Sequence, residues 1–318
     1  MPESSLKTHS AFLHLLAANA LALFIVLAQP VEAAALKFSE IASGVFVHEG
    51  QIGVFTPENA GDVSNITLIV GHDAAAVIDT GGSALIGRAA RETIKSITQK
   101  PIRYVINTHM HPDHVFGNVA FEDDKPEFIA HNKMARGLTA RADRYIAVNR
   151  GLLGDAAFDG TKVIPPTRDV QDTLELDLGG RIIVLTARPT SHTDNDLTVF
   201  DRTTATLILG DLLFSGHIPA LDGSITGWLK LIATMRTERA DRVVPGHGPA
   251  SMPWPDALIP QERYLRTIAD DVRLMIKAGK SISEATKTAG LSEKNSWALF
   301  DDFHVRNVTA AFAELEWE

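Results

Sequence analysis

The sequence predicts an α+β fold: two strand-rich halves of similar grammar, followed by a C-terminal helical extension. Three observations carry this. Short apolar runs bounded by Gly, Asp and Asn recur between residues 45 and 107, and again between 174 and 244. One helix-period segment separates strand signals in the first half. From Trp254 onward the apolar spacing changes from strand-like to helical.

Val45-Phe46-Val47 opens the strand pattern. Asn65 to Val70 and Ala75 to Ile78, separated by Gly71-His72-Asp73, read as a hairpin closed by Asp79-Thr80-Gly81-Gly82. A helix is expected from about Leu85 to Ile97, with Ile86, Ala90, Ile94 and Ile97 on one face. Arg103 to Asn107 reads as a buried strand running into Thr108–His114. The stretch from Arg136 to Thr167 is less regular and reads as helix plus a long loop over the site. In the second half, Leu174–Leu176, Arg181–Leu185, Leu197–Phe200, Ala205–Leu209 and Val243–Val244 are short strands. Leu265, Ile268, Val272 and Met275 then recur at helical spacing and stop at Gly279. Ser281 with Glu284 signals a capping box, and Val305, Val308, Phe312 and Leu315 a last amphipathic helix.

The chain has 318 residues, 45% of them hydrophobic and 22% charged, enough for a large packed core. Its net charge of −9, with no basic cluster, argues against a nucleic-acid partner. Residues 1–33 read as a signal peptide: Lys7, an apolar run from Ala11 to Ala28, then small residues suited to cleavage after Ala33. Since the run approaches spanning length, the alternative is an uncleaved anchor. Either way the rest of the chain is expected outside the cytoplasm, periplasmic or secreted. After cleavage no stable membrane insertion is expected. There is no cysteine, so a bound metal must rest on imidazole and carboxylate, which favours zinc or a harder first-row ion. No oligomeric state is legible.

Thr108-His109-Met110-His111-Pro112-Asp113-His114 is the strongest chemical signal. In an extended segment His109 and His111 point to one side. Pro112 turns the chain, so that Asp113 and His114 can face a second ion. Four such groups this close waste burial unless a cation organises them. His192, Asp211 and His247 each lie near the end of a strand signal, where loops gather ligands. Asp196 is read equally as an imidazole partner or a turn residue. His131, His217 and His304 are read as surface or hydrogen-bonded histidines, and Trp228 and Phe116 as core.

On these motifs the chain resembles metallo-β-lactamase-fold hydrolases over roughly residues 40–250. The matching features, in order, are H-x-H-x-D-H, the His of Ser-His-Thr-x-x-Asp, Gly-Asp, and Pro-Gly-His-Gly. The resemblance implies a four-layer αββα sandwich of two mixed β-sheets flanked by helices. It implies a catalytic domain over 38–252 and a helical extension over 253–318 packed on it. It further implies two Zn²⁺ per chain: His109, His111 and His192 hold one, Asp113, His114 and His247 the other, and Asp211 bridges. Asp113 would act in catalysis by holding the proton of a shared, activated water, and Asp79 corresponds to the superfamily's structural aspartate. With no Cys at the bridging position the ligand set resembles glyoxalase-II-type thioesterases. The C-terminal stretches Leu-Phe-Asp-Asp-Phe-His-Val-Arg-Asn-Val and Ala-Glu-Leu-Glu-Trp-Glu resemble exported SoxH-related proteins, also termed quinoprotein relay system zinc metallohydrolases. The implied activity is hydrolysis of an ester, thioester or lactam-type bond in a small-molecule substrate. Two alternatives remain: a mononuclear iron enzyme like persulfide dioxygenases, and a non-enzymatic periplasmic partner of a quinoprotein or sulfur-oxidation system.

Overall fold

A seven-stranded sheet is laid down first in the computed structural model, which describes residues 35–318. The signal peptide read in residues 1–33 lies outside the described residues. β1 (Phe38–Ala42) and β2 (Val45–His48) form a hairpin turning at Gly44, whose φ of +68° suits glycine. β3 (Ile66–Val70) and β4 (Ala75–Ile78) are the expected second hairpin. α1 (Ala84–Ile97) follows, its first turn capped by the Ser83 hydroxyl, which accepts from the Ile86 amide. Its Ile86–Ala90–Ile94 face is buried as the spacing predicts. The chain then returns as β5 (Ile102–Ile106), parallel to β4.

After β5 come the short α2 (Pro112–Val115) and a 3₁₀ segment, Phe116–Asp124. β6 (Glu127–His131), α3 (Met134–Phe158) and β7 (Arg168–Val170) complete the sheet, in the order β1 to β7. The stretch that read as irregular is largely α3, a 25-residue helix interrupted at Gly154. Its weak apolar signal has a physical reason: much of it borders an open cleft rather than a core.

The second sheet contains β8 (Thr173–Asp177), β9 (Ile182–Ala187), β10 (Leu197–Asp201), β11 (Thr206–Phe214), β12 (Arg242–His247) and β13 (Met252–Pro253). Its order is β13-β12-β11-β10-β9-β8, and only β11 and β12 pair in parallel. Their crossover is α4 (Ile225–Met235), capped by Ser224. α5 (Ile259–Lys277), α6 (Ile282–Ala285) and α7 (Phe300–Leu315) end the chain. Ser281 and Glu284 form the reciprocal capping box.

Three apolar clusters define the layers. Val45, Val47, Ile69, Ile106, Leu185 and Val199 pack between the sheets. Leu68, Val77, Ile94 and Phe158 pack the outer face of the first sheet under α1 and α3. Leu213, Trp228, Tyr264 and Phe312 pack the second sheet against α4, α5 and α7. The result is two mixed sheets sandwiched between helices, with a C-terminal helical extension. A chain buried on both sides of each sheet reads as near-continuous apolar strands, and β11 is buried at all nine positions. Among the described residues no helix is long and apolar enough to cross a membrane.

Candidate metal centre

All seven predicted side chains converge at one end of the sandwich. One group is His109, His111, His192 and Asp211, and a second is Asp113, His114 and His247. Within each group, one donor atom per residue lies within 4.8 Å of the others. His109 and His111 leave the end of β5, and Asp113 and His114 occupy the first turns of α2. His192 sits on the β9–β10 loop, and His247 ends β12. Asp211 was expected just past a strand, but it lies inside β11, which runs on to Phe214. Gly210 takes a φ of +51° and the pairing register slips there, a bulge that keeps the strand going while re-aiming Asp211. Beside it, a Cβ on Gly246 would stand 2.0 Å from Asp211 Oδ1, so only glycine fits.

The outer nitrogen of each imidazole is held by the protein. His192 Nδ1 donates to the Ala220 carbonyl at 2.6 Å, and His247 Nδ1 to the Val63 carbonyl at 2.7 Å. His114 Nδ1 donates to Asp79 Oδ2 at 2.8 Å, and His111 Nε2 to Asp222 Oδ2 at 3.2 Å. Thr108 Oγ1 donates to Asp79 Oδ2 at 2.7 Å, which leaves it to accept from His109 Nδ1 at 3.1 Å. Asp79 itself, at a left-handed φ of +57°, also accepts the Thr108 amide. Such outer partners fix ring tautomer and direction.

The inner nitrogens then face one another and the two carboxylates. His192 Nε2 and His111 Nδ1 stand 3.0 Å apart. Asp211 turns its two oxygens to the two groups: Oδ2 lies 3.4 Å from His192 Nε2 and 3.6 Å from His109 Nε2, while Oδ1 lies 3.1 Å from His114 Nε2 and 3.3 Å from His247 Nε2. Asp113 Oδ2 lies 3.2 Å from His247 Nε2 and 3.4 Å from His114 Nε2. Among the described residues four buried side-chain atoms lack a hydrogen-bond partner, and three of them are His109 Nε2, His114 Nε2 and Asp211 Oδ1. Buried polar atoms are nearly always satisfied, so this concentration marks a seat for cations. Five imidazoles and two carboxylates are the donor set that Zn²⁺ and similar ions accept.

The electrostatics divide the two groups: burial lowers His109 and His192, whereas in the second group burial is outweighed by Asp211 and Asp113, which raise His114 well above its ordinary value and His247 to about 9. Burial, and the neighbouring His111 ring, press His192 down to about 3 against the pull of Asp211, so it is neutral. Burial and His114 likewise lower His109 well below its ordinary value. Burial opposes ionisation of Asp113 and Asp211, yet His114 and His247 hold both well below the ordinary carboxylate range.

Asp196 accepts the amide and hydroxyl of Thr193. It therefore shapes the turn that presents His192, and burial raises it to about 8. His217 lines the cleft while its Nδ1 donates to the Ile218 carbonyl. His131 accepts the Lys133 amide, and His304 bonds Tyr264 and the Ala289 carbonyl; both lie outside the two donor groups. Trp228 and Phe116 are core.

Over the donors opens a cleft of about 760 Å3, within the usual range for small-molecule sites. Its wall includes Arg141, Arg144, Tyr145 and Asp222, which the sequence reading missed. The 141, 144, 145, 148 spacing on α3 was the available signal. Asp222 sits in an ordinary Asp-Gly turn with none.

With this geometry in hand, comparison with known proteins defines the class. The family model described as the metallo-beta-lactamase superfamily matches residues 60–247. The chain belongs to the metallo-beta-lactamase superfamily. A curated relative, the linear primary-alkylsulfatase of Pseudomonas sp. (strain ATCC 19151), is 24% identical over 217 residues, covering 57% of this chain. The chain spans 40% of that relative's length. Among solved structures, a variant of the sec-alkyl sulfatase PisA1 superposes with a TM-score of 0.64 at 16% identity, over 87% of this chain and 50% of its own. The metallo-beta-lactamase FIM-1 from Pseudomonas aeruginosa, in its mono-zinc form, gives 0.56 at 20%, over 75% and 98%. TMB-1 gives 0.57 at 21%, over 74% and 98%. These likenesses support the fold.

Proposed function

We propose that the protein is an exported dinuclear zinc hydrolase that cleaves an ester, thioester or lactam-type bond of a small-molecule substrate. His109, His111 and His192 would hold one ion and Asp113, His114 and His247 the other, with the Asp211 carboxylate facing both donor groups. One observation carries this reading: the two oxygens of Asp211 address two separate imidazole groups, each ring anchored through its outer nitrogen so that the other faces the carboxylate. A single-metal iron site leaves Asp113, His114 and His247 unexplained. The exported location rests on the leader read in residues 1–33.

Bound zinc would supply Lewis acidity and an ionised water as nucleophile. The protein's part follows from its own atoms. Asp113, at the cleft wall, would take up the nucleophile's proton on the carboxylate oxygen not turned toward His114 and His247. Asp222 and the Ala220 carbonyl keep His111 and His192 turned inward. Tyr145, whose phenol burial and Asp222 push up to about 12, stays protonated and available to donate to a leaving group or oxyanion. A second reading, cleavage of a sulfate ester, is favoured by the alkylsulfatase among the relatives.

Metal analysis of the purified protein should return near two zinc per chain. A panel of a thioester, a lactone, a chromogenic cephalosporin and a linear alkyl sulfate then separates the bond classes. Asp113→Ala should lower turnover by roughly 10²- to 10⁴-fold. One iron per chain, or full activity in that variant, would overturn the proposal.

A further inference from the structure

The cleft has a wall of which the proposed chemistry uses only Tyr145. Arg141, Arg144, Tyr145, Val148, Asn149 and Leu152 all line it, and their spacing is that of a single helical face of α3. That face is divided by chemistry. Arg141 and Arg144 stand at one end, and Val148 and Leu152 begin one turn later. Val148 is 49% exposed and Leu152 48%. Across the cleft Val54 is 42% exposed, with Phe55 beside it.

The two arginines are unlike the others on their helix. Arg136 pairs with Asp194 and Arg150 with Asp155. Among the described residues neither Arg141 nor Arg144 meets a carboxylate within ion-pair distance. The half-buried Arg141 guanidinium makes only a long 3.4 Å bond to the Gly137 carbonyl of its own helix. Arg306, on α7 at the same cleft, is engaged with Asp222 at 2.9 Å. Two guanidinium groups with no carboxylate partner on the site wall of a chain with net charge −9 attract anions to that wall. Exposed aliphatic side chains inside a cleft serve contact with an apolar ligand.

We propose that this face of α3 recognises a substrate carrying an anionic group beside an apolar chain or ring, the anion on Arg141 and Arg144 and the apolar part along Val148, Leu152 and Val54. From Arg141 to Leu152 the helix advances about 16 Å, the reach of a medium-length alkyl chain. In this reading the recognised anion is a group other than the bond cleaved at the metal centre. The inference rests on the hydrolase reading for what happens next, but not for binding.

The test therefore reads binding. 1-Decanesulfonate, which has no hydrolysable ester, is titrated calorimetrically into the zinc-loaded protein below its micelle-forming concentration, beside 1-decanol and methanesulfonate. Decanesulfonate should bind at least about tenfold more tightly than either. Arg141→Ala with Arg144→Ala should weaken it by about tenfold or more and leave decanol unchanged. Leu152→Asp should weaken both long-chain ligands. Decanesulfonate affinity that survives the arginine substitutions and vanishes when zinc is stripped places the anion on the metals and overturns the proposal. Equal binding of decanol does the same. Selective binding without turnover of any panel substrate would sink the hydrolase reading alone.

Discussion

Asp222 is where the chemistry of one residue reaches furthest. Its Oδ2 accepts from His111 Nε2 and its Oδ1 from Arg306. Burial resists its ionisation, but His111 and Arg306 hold it well below the ordinary carboxylate value, so it stays an acceptor. That fixes the proton of His111 on Nε2 and leaves Nδ1 facing His192. Asp222→Asn keeps the shape and removes the charge. Metal affinity, measured by competition with a coloured chelator, should fall about 10- to 100-fold with little change in melting temperature. Unchanged affinity would mean that the ring is oriented by packing alone. Asp79 plays the same part for His114, and its place near the site was legible only through the resemblance, since Val-Ile-Asp-Thr-Gly matches the superfamily's structural aspartate.

At the scale of elements, α7 governs the site from outside it. Asn307 accepts the Leu221 amide and donates to the Pro219 carbonyl, both inside the core. Arg306 on the same helix holds Asp222. The segment so gripped, Pro219 to Asp222, supplies the Ala220 carbonyl to His192 and the Asp222 carboxylate to His111. Asn307→Leu strands two buried backbone groups and should cost about 1–3 kcal/mol of stability. It should also weaken metal binding, whereas Val305→Ala, on the exposed face, should do neither. If the Leu variant loses stability but binds metal normally, α7 is only scaffolding. The helix itself was readable from its spacing; its grip on the site was not. Motif and strand-end position exposed the seven donors because ligands need fixed chemistry at fixed places. The α3 wall stayed hidden because a cleft-facing helix has no apolar stripe. The continuation of β11 past Asp211 stayed hidden because Gly210 looks like a terminator until the bulge is seen.

At the scale of the whole molecule, the two sheets are joined at both ends, by donors at one and by Arg181 at the other. The Arg181 guanidinium is bidentate to Asp201, at 2.9 and 2.7 Å, at the end of β10. It also donates to the carbonyls of Ser43, in the β1–β2 turn, and Val70, the last residue of β3 in the first sheet. The pair is buried, so removing one partner leaves an uncompensated charge: Arg181→Ala should cost about 3–5 kcal/mol in urea unfolding. Replacing both by Met and Leu should cost far less, because both charges then leave the interior. Burial alone would raise Asp201, but Arg181 and Thr204 outweigh it and set the folded value below the unfolded 3.8. A depressed carboxylate contributes stability that is complete above the unfolded value and lost as pH falls through the folded one. Wild-type protein should therefore lose this contribution only below about pH 4, and Asp201→Asn should flatten that acid limb. Melting curves from pH 6 to pH 2 read the difference between the two proteins. Parallel curves would show that the clamp is not coupled to folding, while metal affinity, seated at the opposite end, should be equal in both.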